Sequence, residues 1–517
     1  MTVFDQNEPV VVVIGSGAGG GTVAYELARE GVDVVCLEAG SRLSMADIRN
    51  NEAEMFGKMT WLDPRTASGG VLPEQFPAWI CKTVGGTTMH WAACAFRFQP
   101  HEWKPTSAYG DIDGADLIDW PVDAETMAPW YSRAEAHIGI AGRGDMPALP
   151  GTSNYKVMEY GARKIGYTKV STATMAINSK PFDGRPGCQQ LGFCTSGCAV
   201  GAKWSTMYTS IPRAEATGHF ELRHRAMAVR IEHDDSGNTS AVVYRDADGN
   251  LQRQAARIVC LAANSIETPR LLLLSASNRY PDGLANSAGH VGRHYMPHTT
   301  GAVFAVMPGE VNFHRGTQMA GVIEDEKRHD PRRGFAGGYL FEPLPLSLHG
   351  LASSMAPGAW GSDYAWLIEN YRRMAGTWIC GESLPVAGNA ITLNDAIRDA
   401  GDDPVANVHF EWHDNDLSMQ KHAWRQATAL YEAAGAERVV TRGAFPATHN
   451  MGTCRQSADP DDGVCNGFGQ AHDIDNLFIS DGSQFASSAA ENPTLTIVAL
   501  AMRQATYIRD QLIQRNL

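Results

Sequence analysis

Two groups of residues in this chain have the types and spacing to do chemistry. Gly15, Gly17 and Gly20 form a G-x-G-x-x-G run directly after the apolar stretch Val10–Ile14, and Glu38 closes a second apolar stretch. In such a run the first glycine permits the tight strand-to-helix turn, the second lets backbone approach a pyrophosphate, and the third lets helix pack on strand. The phosphates then meet unpaired N–H groups at a helix N-terminus, and an acidic side chain about 20 residues on accepts ribose hydroxyls. The pattern implies an adenine dinucleotide and leaves NAD and FAD open. The second group is Cys188, Cys194 and Cys198, spaced C-x5-C-x3-C in a Gly-rich loop. Thiolates at short, irregular spacing can wrap an iron–sulfur cluster, and three of them suit a three-iron cluster. Zinc is disfavoured, because a structural site closes with four ligands. A disulfide plus a free thiol is the structural alternative.

The elements that must position these groups read as an α/β protein. Val10–Ile14 and the stretch ending at Glu38 read as parallel strands around a helix with Val23, Ala24, Leu27 and Ala28 on one face and a stop at Gly31. Arg257–Leu261 reads as another strand, leading through Ala262, Ala263 and Asn264 into a helix from Thr268 to Leu274. Val408, Phe410 and Trp412 alternate with polar residues, as in a half-buried antiparallel strand. A helix is expected from about Leu417, capped by Asn415 or Asp416, to near Gly435. Leu477–Ile479 reads as a short buried strand, Asp481-Gly482-Ser483 as a turn, and Pro493 as the first turn of a long helix capped by Asn492.

Composition excludes several function classes. The chain has 517 residues, enough for more than one domain, and a formal net charge of −14. That charge argues against general affinity for nucleic acid or anionic membranes. No apolar run approaches the ~20 residues of a membrane span. No signal peptide is visible, which suggests a cytoplasmic protein, with periplasmic export on a partner's signal left open. Cys36, Cys81, Cys94, Cys260, Cys380, Cys454 and Cys465 are scattered and read as buried thiols.

Further segments sharpen this picture: Gly85-Gly86-Thr87-Thr88-Met89-His90-Trp91, Ala262–Leu274, Val291-Gly292-Arg293-His294-Tyr295-Met296-Pro297-His298, and His449-Asn450-Met451-Gly452-Thr453 followed by Asn492-Pro493. With the Gly15–Gly20 run and Glu38, they resemble the glucose–methanol–choline flavoprotein oxidoreductase family. Within it the chain looks closest to catalytic subunits of bacterial FAD-dependent glucose, gluconate and glucoside dehydrogenases, with similarity to pyranose oxidases around His90. The resemblance implies FAD and a Rossmann-like FAD-binding domain with an inserted α+β substrate domain built on an antiparallel sheet. The expected division assigns residues 1–110, 181–300 and 441–517 to the FAD-binding part, and 111–180 and 301–440 to the substrate-binding part.

The resemblance also assigns roles. His449 matches the base that takes the substrate's hydroxyl proton, a task suited to a neutral imidazole, and Asn492 matches the partner that bonds the same oxygen. Gly85, Gly86, Thr87, Ala262 and Pro493 would line the FAD site, and Asp481 would hold the ribityl chain. In relatives with covalent flavin a histidine at the position of His90 carries the bond; others keep the histidine without it, so both states stay open. The loop at Asp183-Gly184-Arg185-Pro186 and its three cysteines resembles the one holding a 3Fe-4S cluster in bacterial FAD-dependent glucose dehydrogenases. Such a cluster implies a protein acceptor, with a small subunit or a cytochrome as partner. The expected reaction is oxidation of a hydroxyl of a sugar, glycoside or related alcohol. The rivals are an oxygen-using oxidase with structural cysteines and a lyase that keeps FAD structurally. Trp360, Trp366, Trp378 and Trp412 are candidates to stack on substrate, though such residues more often pack a core.

Overall fold

The computed structural model describes residues 3–517 except 75, 349, 352–359 and 444–447. Val10–Ile14 is buried throughout and pairs in parallel with Val34–Glu38 on one side and Leu251–Leu261 on the other. An unbroken apolar strand is what burial on both faces of a parallel sheet requires. Phe220–His224 extends the sheet beyond Val34–Glu38, and Leu477–Ile479 returns from the far end of the chain to pair in parallel with Leu251–Leu261. Antiparallel Thr239–Arg245 and Met227–His233 complete this seven-stranded sheet. The helix Ala18–Ala28 packs against the C-terminal helix Thr494–Gln514.

A second sheet of six strands is antiparallel, in the order Arg438–Arg442, Thr299–Val306, Met374–Gly381, Tyr339–Pro343, Val322–Ile323 and Val170–Ser171. The helices Ser153–Lys164 and Asp414–Ala433 pack on it, with Met158, Phe304, Phe341, Ile379 and Leu430 in their shared core. Three further strands, Ala390–Arg398, Pro404–His409 and Thr66–Ser68, form a separate small sheet. The α/β class with an antiparallel second sheet is therefore as expected. Among the described residues, no helix is long and apolar enough to cross a membrane.

Several local expectations are corrected. The strand at Val408 ends at His409, and Phe410 and Trp412 follow it, stacked edge to face. The helix expected from Leu417 starts at Asp414, capped by His413, whose Nδ1 accepts from the Asn415 N–H at 3.1 Å. Asn415 and Asp416 cannot cap it because tertiary partners take their side chains: Ala336 N–H bonds Asn415, and Ser383 and Leu384 bond Asp416. The helix expected from Thr268 starts a turn earlier, at Asn264, whose Oδ1 accepts from the N–H groups of Ile266 and Glu267. The C-terminal helix begins at Thr494 with Pro493 in the capping position, so Asn492 is not its cap.

Candidate functional site

A cavity of about 720 Å³ lies where the parallel strands end. Its walls include segments at four strand C-termini: Gly15–Gly19, Glu38–Ala39, Ala262–Ser265 and Asp481–Gly482. Ligands of open α/β sheets bind in that crevice. Two helix N-termini reach it as well. Gly17 caps Ala18–Ala28 and Pro493 caps Thr494–Gln514, neither with a side-chain hydrogen bond nor an acidic residue in the first turn. Both ends therefore present N–H groups and positive dipole to an anion.

The glycines separate into packing and access roles. At Gly15 φ is +98° and a Cβ would stand 2.3 Å from the Ala262 carbonyl oxygen, so only glycine fits the turn. At Gly17 the nearest protein atom would be 3.8 Å from a Cβ. The protein alone does not demand glycine there, whereas a pyrophosphate against the backbone would. Gly85, Gly86, Thr87 and His90 belong to a turn around the 3₁₀ segment Gly86–Met89, and Gly86, Thr87 and His90 face the cavity. Gly85 sits behind, its N–H donating to Ser16 Oγ at 3.0 Å.

Two acidic residues expected at the cofactor are already engaged with the protein. Glu38 accepts from Ser16 N–H and Oγ–H through one oxygen and from Gly40 N–H through the other. Asp481 accepts from Asn264 N–H and Thr268 Oγ with one oxygen, and from Ser483 N–H and Oγ with the other. Both line the cavity. Asp481 clasps the start of the helix Asn264–Leu274 to the turn Gly482–Gln484, a structural task the sequence did not disclose.

His449 and Asn492, far apart in sequence, line the same cavity. The histidine's partners were not expected. His298 Nε2 lies 3.2 Å from the Ser488 carbonyl oxygen, which accepts, so that nitrogen carries a hydrogen. Burial pushes His298 down to about 4, leaving it neutral with a bare Nδ1. Cys380 Sγ and His449 Nδ1 both stand 2.9 Å from that nitrogen. An imidazole N–H is a stronger donor than a thiol, so the network assigns the His449 proton to Nδ1 and leaves its Nε2 lone pair free. Burial, then the neighbouring His298 and His90, hold His449 well below the usual imidazole range. Asn492 Nδ2 donates weakly to Glu342 at 3.4 Å, and its buried Oδ1 has no hydrogen-bond partner. Glu342 is pushed up to about 7 by burial, against the pull of Cys94 and Asn492.

His90 and Trp79 meet edge to face with ring centroids 4.5 Å apart, and the buried His90 Nδ1 has no hydrogen-bond partner. Burial and Lys203 lower it to about 3, so the ring is neutral. Lys203 is itself 1% exposed and donates to the carbonyls of Met89, Trp91 and Cys194. One ammonium thus straps the cysteine loop to the backbone on either side of His90. All ten cysteines are free thiols; the seven scattered ones are buried, and Cys188, Cys194 and Cys198 are half-buried. The disulfide alternative is absent. The three loop sulfurs do not converge within 4.8 Å as a trio, so they form no site for a single metal ion. Of the four tryptophan candidates, only Trp378 lines the cavity; Trp360 is exposed, Trp366 packs under Arg438 and Trp412 against Phe410.

Comparison with known proteins fits this arrangement. Two family models described as GMC oxidoreductase match residues 12–300 and 385–501. The chain belongs to the GMC oxidoreductase family. This GMC protein is 31% identical to a 2-methyl-1,2-propanediol dehydrogenase of Mycolicibacterium austroafricanum, over 98% of its own length and 96% of the relative's. It is 28% identical to a fructose dehydrogenase large subunit of Gluconobacter japonicus, covering 98% of each chain. A formate oxidase structure superposes with a TM-score of 0.73 at 15% identity, over 98% of this chain and 99% of that one. The protein is accordingly a flavin-dependent oxidoreductase acting on CH–OH groups, with FAD as the family's cofactor. The two open helix ends, the bare approach at Gly17 and the unpartnered Nδ1 of His90 fit that group.

Sequence reasoning missed His298, Cys380, Glu342 and Lys203. His298 closes the Val291–His298 motif and carried a signal without a role. The other three sit in stretches where no motif marks them, and only the folded contacts reveal them.

Proposed function

We propose that this GMC oxidoreductase is a dehydrogenase for a hydroxyl of a sugar, glycoside or related alcohol. One observation carries the reading: His449, its Nδ1 2.9 Å from His298 Nδ1, lines the cavity shared with Asn492. His449 Nε2 takes the hydroxyl proton, and the Asn492 amide orients the same oxygen. His298 is a positioning residue, because it fixes which nitrogen of His449 is the base. FAD, when bound, supplies the hydride acceptor. In this reading the cofactor lies against Gly15, Gly17, Glu38, Gly86, Thr87, Ala262, Asp481 and Pro493, while Gly20, packed on Gly15 and Ala262, and Gly85, bonded to Ser16, shape the turns behind them. The proposed substrate-binding part takes in the whole of the strands Thr299–Val306 and Arg438–Arg442, which cross the boundaries expected at 300 and 440. Trp378 offers an apolar wall for substrate.

The test is anaerobic mixing with a panel of sugars and small diols. A substrate should bleach the flavin stoichiometrically, and aerobic turnover should need an added acceptor. Peroxide formed as fast as substrate disappears would instead make the protein an oxidase; unbleached flavin with product formed would make it a lyase.

We further propose that His90 carries the flavin covalently. The support is a neutral ring with an unpartnered nitrogen; a C–N bond to the ring methyl would replace a C–H, with the proton lost to solvent and the electron pair passing through the ring to the enzyme's own electron acceptor. Acid precipitation should leave the flavin colour in the pellet; free flavin in the supernatant overturns the bond.

For the electron exit we propose a 3Fe-4S cluster held by Cys188, Cys194 and Cys198, with a protein acceptor. The support is that the thiols are unpaired, half-buried and strapped beside His90 by Lys203. A polynuclear cluster spreads its cysteine ligands over several irons, so convergence on one point is not required of them. The similarity to a subunit named as the large one favours a smaller partner subunit as well.

A further inference from the structure

A second set of titratable groups lies outside the cavity walls. His101, Glu102 and Glu382 place an imidazole nitrogen and two carboxylate oxygens within 4.8 Å of one another. Glu102 belongs to the 3₁₀ turn Pro100–Trp103, Glu382 follows the strand Met374–Gly381, and Glu491 precedes Asn492. Glu491 stands against Glu102, is 0% exposed, and has no hydrogen-bond partner on either carboxylate oxygen. His101 Nε2 is buried and unpartnered too.

The protein's own partners do not account for this concentration of acceptors. Glu102 accepts from the N–H groups of Gln99 and Ala490, and Glu382 from the Tyr109 hydroxyl at 2.8 Å. Each carboxylate has lone pairs left over, since two oxygens offer about four sites. The Lys327 ammonium stands 3.7 Å from Glu491 and is already bonded to Glu324. Three buried carboxyls and an imidazole make a site rich in donors of electron pairs, with Lys327, Arg328 and His329 facing it from the His101 side.

We propose that His101, Glu102 and Glu382 bind one divalent transition-metal ion of the manganese or zinc type, with the buried Glu491 carboxyl beside Glu102 adding to the need for positive charge. An imidazole with carboxylates suits these ions, whereas calcium and magnesium take oxygen alone and soft ions take sulfur. Bonds of about 2.0–2.2 Å require only a modest inward movement from the observed spacing. The half-buried side of the cluster, at His101 and Tyr109, gives the ion a way in. Once bound, the ion joins two distant segments of the chain. Glu382 is two residues from Cys380, so the ion would hold the backbone that carries it.

The experiment titrates chelator-treated, flavin-loaded protein with Mn²⁺ and follows the EPR signal of the free ion. One Mn²⁺ per chain should leave the free pool, Zn²⁺ should displace it, and the melting temperature should rise with metal. His101→Gln and Glu382→Gln should each weaken Mn²⁺ binding by about 10–100-fold, while Cys380→Ser should leave the stoichiometry at one. The last variant separates this site from the other compact trio, His298, Cys380 and His449. The proposal is overturned if Mn²⁺ stays free over folded protein, if both glutamine variants bind like the parent, or if Cys380→Ser abolishes binding. Because the readout is metal binding, it stands or falls independently of the alcohol-oxidation reading.

Discussion

His449→Ala is expected to slow flavin reduction by substrate about 10²–10⁴-fold, the usual contribution of a positioned general base. The geometry makes the loss specific to proton removal. His298 holds the His449 proton on Nδ1, which leaves the Nε2 lone pair free on a residue that lines the cavity. With alanine there, Asn492 still offers its amide and the binding walls are unchanged, so kcat should fall far more than KM rises. The pH dependence follows from the same surroundings. A base works when deprotonated, and His449 is held well below its usual value of 6.5 by burial and two neighbouring histidines. The acid limb of kcat/KM, which reports the free enzyme, should therefore fall below pH 6.5. Stopped-flow measurement of flavin bleaching decides the first point and a pH profile the second. An unimpaired reduction rate in the alanine variant would remove His449 from the chemistry.

Replacing the loop cysteines should split the reaction in two. Cys188→Ser, Cys194→Ser and Cys198→Ser are expected to lose iron, inorganic sulfide and the EPR signal of the parent protein. Bleaching of the flavin by substrate should survive, because His449 and Asn492 lie on other segments. Turnover with a one-electron protein acceptor should be almost abolished. Lys203 links the two regions: its ammonium bonds carbonyls on both sides of His90 and the carbonyl of Cys194. Parent protein purified without oxygen that holds no iron would overturn the cluster, and the loop would then be three structural thiols.

The legible part of the site was the part written in neighbouring residues. Gly15, Gly17 and Gly20 are read from spacing because a turn of a few residues sets its own backbone demands, and the structure places Gly15 at φ +98° against Ala262. Less legible were the residues whose jobs are set by partners remote in sequence. Asp416 was expected to cap a helix and is instead held by Ser383 and Leu384. Asn492 was expected to cap the last helix, yet Pro493 takes that position and the amide points its unpartnered oxygen inward.

By itself, then, the sequence determined the glycine-rich strand–turn–helix, the α/β class and the family. These rest on short-range sterics and hydrophobic period, which are local. The tertiary structure alone decided which nitrogen of His449 is free, that Lys203 ties the cysteine loop to His90, and that Glu102, Glu382 and Glu491 share one buried space. Those are questions of proton placement and desolvation. Burial and contacts between residues as many as 388 apart in the chain set the answers, and no short window of sequence contains them.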